Sequence, residues 1–192
     1  MDHYIEAFQA RTDAKLRYAK VHLDELAALT SHGGDDFDRA HQESFLFHLH
    51  GTRDAFLIEL NHYYSLGLSI KDISIGNLRN ALKRRGINSP ELSELYELQQ
   101  DDDSWYRQIK DMRDSSAHNQ GVPRAFYMGG EDDGMVKLKN PRTGVLTNDH
   151  FIDVFQEWIE QMRVLIEKLR ASADSFMGTN NTLQDSPENG RS

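Results

Sequence analysis

The chain has 192 residues, 38% of them hydrophobic, and a net charge of −9, which suits one domain with a core of its own. The acidity disfavours broad binding to duplex DNA, because such binding depends on many cationic contacts to phosphate. The sequence has no cysteine, which excludes disulfides and thiolate metal sites, and no apolar stretch near the ~18 residues of a membrane span. We expect a cytoplasmic protein.

The first half of the chain predicts two long helices followed by two short ones. Residues 2–29 and 37–66 both carry apolar side chains at spacings of three and four, the pattern of a helix with one buried face. Gly51 interrupts the second of these and indicates a bend or close packing. Residues 74–85 and 89–100 are typical of short helices, and the second begins with Ser89 as its cap and Pro90 at its first helical position.

The next region combines a helix with a glycine-rich insertion. Residues 104–118 predict a third long helix, which ends before a segment, 120–147, whose glycines and prolines forbid a long helix. Two short apolar runs, 125–128 and 135–138, flank a glycine-rich acidic turn and could pair as a hairpin. The alternative is an extended surface loop without a role.

A fourth long helix is predicted over 148–176, where aromatic and aliphatic residues form one apolar stripe. The polar residues 178–192 predict a disordered tail, which leaves 1–177 as a single domain. The sequence therefore predicts an all-α fold. We expect an antiparallel bundle of four long helices, with two short helices and a long loop or small hairpin inserted before the last one.

One short segment carries chemistry near the end of the third long helix. Arg113 and His118 are separated by four residues, and Asp114 and Asn119 follow them directly. Histidine can accept or donate a proton near neutral pH, and arginine binds phosphate oxygens with two donors. These residue types suit RNA cleavage by the 2′-hydroxyl, which needs both proton roles and a positive charge. Asp114 and Asn119 would support the geometry of the two reacting side chains.

The Arg-x4-His segment in a helical chain resembles the HEPN superfamily, in which this motif lies near the end of a helix and a polar residue follows the arginine. Arg113, Asp114 and His118 match those positions. The resemblance implies a metal-independent endoribonuclease without cofactors, with RNA as substrate and a site formed across a homodimer. It also implies a toxin, defence or stress role, and an antitoxin or nucleotidyltransferase as a possible partner. No membrane association is implied.

Two features qualify this interpretation. Arg17 and His22 repeat the spacing inside the first helix, where we expect a solvated face, and Gln120 stands where tyrosine is typical of antitoxin-paired members. A non-catalytic HEPN-like scaffold in a two-component system is therefore the alternative. In that case Arg113 pairs with a nearby carboxylate, and His118 stabilises the helix C-terminus as a cation.

Polar residues also crowd the second long helix. Arg53 and Asp54 are expected to line the site and contact substrate. Glu59 and His62 form one Glu-x-x-His element, but a di-iron bundle needs this element twice together with further glutamates. The sequence supplies no second copy, so no metal site is predicted.

Overall fold

The computed structural model describes residues 3–28, 36–130 and 133–184, without the side chains of His3, Glu91, Asn119, Gln120 and 174–184. Within these ranges the protein is all-α, with one small two-stranded sheet. The elements are α1 His3–Ala28, α2 Asp36–Tyr63, α3 Ile75–Arg84, α4 Pro90–Gln100, α5 Trp105–Ser115, β1 Arg124–Phe126, β2 Val136–Leu138 and α6 Phe151–Gln184.

The three shorter helices each begin at a serine. The hydroxyl oxygens of Ser74, Ser89 and Ser104 accept hydrogen bonds from backbone N–H groups in the first turns of α3, α4 and α5. These bonds satisfy donors that a helix start leaves without a partner. The cap predicted at Ser89 is confirmed, whereas α5, expected as a third long helix over 104–118, is 11 residues long, the same length as α4.

The two first helices, α1 and α2, run antiparallel and side by side. Phe8 of α1 stacks on His62 near the end of α2 at 4.0 Å, while His22, further along α1, meets His41 near the start of α2. Gly51 lies inside an unbroken α2, and a Cβ there would make only an ordinary contact with the Lys15 side chain at 3.7 Å, so neither helix breakage nor tight packing explains the glycine.

The core is formed mainly where α2, α5 and α6 meet the apolar face of α1. The rings of Phe45 and Phe155 stack at 4.3 Å in its centre and are fully buried. Fully buried side chains around them come from α1, α2, α3, α5 and β2: Leu23, Leu49, Leu78, Met112 and Leu138.

An arginine of α6 connects the three longest helices. The guanidinium of Arg170 donates two hydrogen bonds to the carboxylate of Glu59 in α2, at 2.7 and 2.9 Å. It also donates to Asp13 in α1 at 2.9 Å. Because Glu59 is 2% exposed, this pairing is what makes its burial tolerable.

The inserted segment forms the hairpin rather than a free surface loop. β1 and β2 are antiparallel, with Arg124 opposite Leu138. Leu138 is buried in the core, and Arg124 Nη1 donates to the buried carboxylate of Asp38 at 2.9 Å. An ion pair between largely buried partners thus fastens the hairpin to the start of α2.

The last helix ends later than the composition predicts. The backbone of α6 is helical to Gln184, so it enters the segment expected to form a tail, because asparagine and threonine weaken a helix without forbidding it. The remainder of the predicted tail, 185–192, lies outside the described residues. No helix in the described ranges has the length and apolar character that spanning a membrane requires.

Candidate functional site

The helix that carries the Arg-x4-His motif does not end in an ordinary turn. After α5 the backbone widens into a π-helical turn, Ser116–Gln120, and ends at Gly121 with φ of +65°. Single π-helical turns are frequent at functional sites. His118 lies on this turn with its side chain exposed.

Arg113 lies one turn earlier and is already engaged by neighbours. Its Nη1 donates to Asp114 Oδ1 at 2.7 Å, and its Nη2 lies 3.5 Å from Nδ1 of His50 in α2. Lys110 donates to the other carboxylate oxygen of Asp114 at 2.7 Å. Burial disfavours the charge of Asp114, but the bond from Lys110 and the charges of Lys110, Arg113 and His50 lower its pKa overall.

His50 is the centre of this cluster. Its Nε2 lies 3.3 Å from Arg53 Nη2, and its Nδ1 lies 3.6 Å from Asp54 Oδ2. The guanidinium of Arg53 thus faces Nε2, and that of Arg113 faces Nδ1. A neutral imidazole can accept a hydrogen bond on only one of these nitrogens. Burial, followed by the charges of Arg53 and Arg113, lowers the pKa of His50 to about 4 against the opposing pull of Asp54 and Asp114. The imidazole is consequently neutral at pH 7.

Arg53 has a second aromatic neighbour in α5. Its guanidinium lies 5.9 Å from the ring centre of Tyr106, a buried residue whose hydroxyl makes no hydrogen bond to the described residues. Burial raises the pKa of this phenol well above its usual range. Tyr106 therefore stays protonated at every pH of interest.

A cavity of about 210 Å³ opens beside this cluster, between α1, α2 and α5. Its lining includes three permanent cations, Arg11, Lys15 and Arg113, and one carboxylate, Asp54. The charge at the cavity is thus locally positive, although the whole chain has a net charge of −9. Cations around a concave site concentrate anionic ligands, and guanidinium groups suit phosphate oxygens in particular.

The structure brings some of the predicted site residues together and leaves one apart. Arg53, Asp54, Arg113 and Asp114 surround His50. Within the described residues, no hydrogen bond, ion pair or ring contact joins His118 to any of them. The side chain of Asn119 lies outside the described ones.

Sequence reasoning did not select His50, Arg11 or Lys15 as site residues. A signal for His50 exists in α2, because residues three and four apart share a helix face. His50, Arg53 and Asp54 have that spacing, and placing Arg53 and Asp54 at the site implies His50 as well. Arg11 and Lys15 carry no such signal, since their position depends on how α1 packs on α2.

In the second Arg-x4-His segment, Arg17 is exposed as expected, but His22 does not lie on a plain solvated face. His22 is half-buried, and its Nδ1 lies 3.1 Å from Nδ1 of His41. Its ring also stacks on His48, with 5.5 Å between centroids. The reason is the antiparallel pairing of α1 and α2, which turns this part of α1 toward the histidines of α2.

Metal ligation receives no geometric support in the described part of the chain. No group of three or more histidine or carboxylate side chains there is arranged to hold an ion. Glu59 is bound to Arg170, and the ring of His62 stacks on Phe8. The Glu-x-x-His element of α2 thus has structural partners on both of its side chains.

Fold and site together define an all-α protein with a cationic pocket built around an arginine-histidine contact. Residues 7–175 match the profile of DUF6586, a family of unknown function, and the chain belongs to that family. No curated protein and no solved structure matches the chain.

Proposed function

We propose that this protein is a metal-independent endoribonuclease of HEPN type that acts as a homodimer on RNA. The observation that carries the proposal is the cationic cavity beside Arg113, lined also by Arg11 and Lys15. A phosphate in this cavity would meet guanidinium and ammonium groups within an acidic protein. We also propose that α1, α2, α5 and α6 form the antiparallel four-helix bundle expected of such a domain.

The chemistry assigns the proton roles to His118. The 2′-oxygen of the RNA attacks the neighbouring phosphorus and the bond to the 5′-oxygen breaks, giving a 2′,3′-cyclic phosphate and a 5′-hydroxyl. One imidazole accepts the proton of the 2′-hydroxyl, and a second donates a proton to the leaving oxygen. Two copies of His118 across a dimer would supply both. The exposure of His118 on the widened turn supports this, because a second copy can approach it.

Arg113 stabilises the charge that develops on the phosphate, and Asp114 holds its guanidinium in place. His50 is too buried and too weak a base to share the proton transfer at neutral pH, and it orients Arg113 from the opposite side. Arg53 and Asp54 support the cluster from α2 and border the substrate. No residue assignment here requires a metal or cofactor.

Cleavage in excess chelator tests the proposal. The purified full chain is incubated with mixed RNAs and with DNA of the same sequences, and product ends are identified by mass. We expect RNA alone to be cut, with cyclic phosphate ends, and His118→Ala and Arg113→Ala to lose activity by about 100-fold or more. Arg163→Ala, an exposed arginine on α6, is the control. Absence of cleavage, or equal cleavage by His118→Ala, would overturn the proposal.

The alternative is a non-catalytic HEPN-like scaffold that forms one half of a two-protein system with an antitoxin or nucleotidyltransferase. The bond between Arg113 and Asp114 favours it, because a guanidinium paired at 2.7 Å has less positive charge to offer a phosphate. In that case the protein binds its partner with His118→Ala as well as with the unchanged chain, and no RNA is cut.

A further inference from the structure

Six aromatic rings form a continuous series along one side of the α1–α2 pair. Consecutive ring centroids in this series, called here the aromatic row, lie 4.4 to 5.5 Å apart. The row runs through Phe47, His48, His22, His41 and Phe37, and Tyr18 joins it as a branch on the ring of His48. Ten residues of α2 separate its ends, which corresponds to about 15 Å along the helix.

The largest members of the row face solvent. Phe47 is 60% exposed, and Tyr18 and Phe37 are each 52% exposed, with Val21 beside them on α1 at 56%. Single exposed apolar side chains are normal, but a contiguous set marks an interaction surface. The aromatic row therefore needs an occupant that the isolated chain does not supply within its described residues.

One end of the row opens on the cationic cavity. Phe47 belongs to the lining of that cavity, and Lys15 Nζ lies 4.9 Å above its ring. Segment 11–20 of α1 carries four cations and a single acid, Asp13, and that acid is bound to Arg170. At its Phe47 end the row thus borders positive charge, whereas further along Lys20 is paired with Asp24 and Glu25 lies near His22.

Two histidines of the row have a lowered pKa. Burial, together with the imidazole of His41, lowers the pKa of His22, which Glu25 opposes. Burial, Lys15 and His22 lower the pKa of His48. Both rings are therefore uncharged at neutral pH, which suits them to stacking.

We propose that the aromatic row stacks the bases of single-stranded RNA whose backbone phosphate enters the cavity beside Arg113. Aromatic side chains bordering a cationic groove are the combination that single-stranded nucleic acids recognise, and base stacking tolerates any sequence. The inference rests on the proposed function, because it names the form of RNA taken by the same site. It predicts a substrate that is unpaired at the point of cleavage.

A second copy of the chain is the competing occupant of this surface. In a two-fold contact only residues near the axis meet their own copies, so the cations at the Phe47 end would face other residues of the row. RNA is favoured because it supplies phosphate for the cationic cavity and flat rings for the aromatic row together.

RNA binding tests the inference in the His118→Ala background, so that the probe survives. A labelled single-stranded oligoribonucleotide of about eight nucleotides of mixed sequence is titrated by fluorescence anisotropy. Tyr18→Ala and Phe47→Ala should each weaken binding by roughly 5- to 100-fold, the equivalent of one lost stacking contact. Phe47→Tyr should retain binding. Tyr4→Ala, an exposed tyrosine of α1 outside the row, should have no effect.

Each outcome distinguishes the inference from the proposed nuclease. The inference is supported if Tyr18→Ala and Phe47→Ala bind RNA more weakly while their thermal unfolding midpoint and their mass in solution stay the same as those of the parent protein. This holds even if the protein cleaves no RNA. Unchanged binding in both, or no RNA binding by the parent protein, overturns it, even where cleavage occurs. It is also overturned if these variants become monomers while the parent is a dimer and RNA binding is unchanged, since the row is then an interface between copies.

Discussion

Arg113 and His50 lie 3.5 Å apart, from Nη2 to Nδ1, although 63 residues separate them in the chain. This contact joins α5 to α2 at the cavity. It also places a permanent positive charge against an imidazole that Arg53 faces from its other side. The pair therefore stays stable only while His50 is neutral.

Acid should destabilise the fold through His50. Its pKa is about 4 in the folded protein and 6.5 in an ordinary environment, so the unfolded chain binds this proton more readily between those values. The contribution is complete above pH 6.5 and is lost as the pH falls toward 4, by roughly 3 kcal/mol in total. Urea unfolding measured from pH 7.5 to 4 should show this loss, and His50→Gln should reduce it.

The matched control for this experiment is His118→Ala, which removes an exposed imidazole that makes none of these contacts. Its stability should depend on pH as that of the parent protein does. If His50→Gln retains the full pH dependence, the histidine is not the group that titrates.

Removing the charge of Asp114 should strengthen RNA binding. The carboxylate neutralises both Lys110 and Arg113, and Asp114→Asn would leave these cations available to phosphate. We expect affinity for single-stranded RNA to rise several-fold at low salt and the gain to shrink at high salt. Glu160→Gln, which removes the carboxylate beside Arg163 on α6, should leave the affinity unchanged. Equal affinities for Asp114→Asn and the parent would mean that phosphate does not approach Arg113.

The ion pair between Glu59 and Arg170 should contribute strongly to the free energy of unfolding. Glu59→Ala leaves a partly buried guanidinium with Asp13 as its remaining carboxylate partner, beside the Gln9 carbonyl, and we expect a loss of about 3 kcal/mol in the free energy of unfolding. The double change Glu59→Leu with Arg170→Met should recover most of it, because an apolar pair of similar size avoids the desolvation cost. A double variant no more stable than Glu59→Ala would contradict this account.

The hairpin should detach from α2 before the rest of the fold opens. Asp38→Asn removes one charge of a pair with side chains only 6% and 8% exposed, and the second strand reaches the core through Leu138. Amide exchange at β1 and β2 should accelerate more than exchange in α6. Arg142, an exposed arginine in the same insertion that bonds to Asp102 and Asp111, provides the control change Arg142→Ala. Uniform acceleration across the whole chain would show that the hairpin is not a separate unit.

The sequence predicted the helices well because their capping serines and apolar spacing are local properties. The second long helix was expected over 37–66 and runs from Asp36 to Tyr63. The agreement is close because the spacing of its apolar residues indicates a helix along its whole length. The same spacing says which face is buried without saying what covers it. The contact between Arg113 and His50, and the arrival of Lys15 at the cavity, depend on how helices pair. The rings of Tyr18 and Phe47 face solvent, but the spacing of apolar residues along α1 and α2 does not distinguish them from core residues. The sequence therefore gave no indication of the aromatic row.

The π-helical turn at Ser116–Gln120 allows the number of residues between Arg113 and His118 to change without disrupting α5. A π turn closes over one residue more than an α turn, so deleting a single residue would convert it to regular helix and swing the imidazole by about 100°. The buried part of α5 would not be disturbed. A variant that lacks one residue of this turn should therefore keep the core of the parent protein while its imidazole points in another direction.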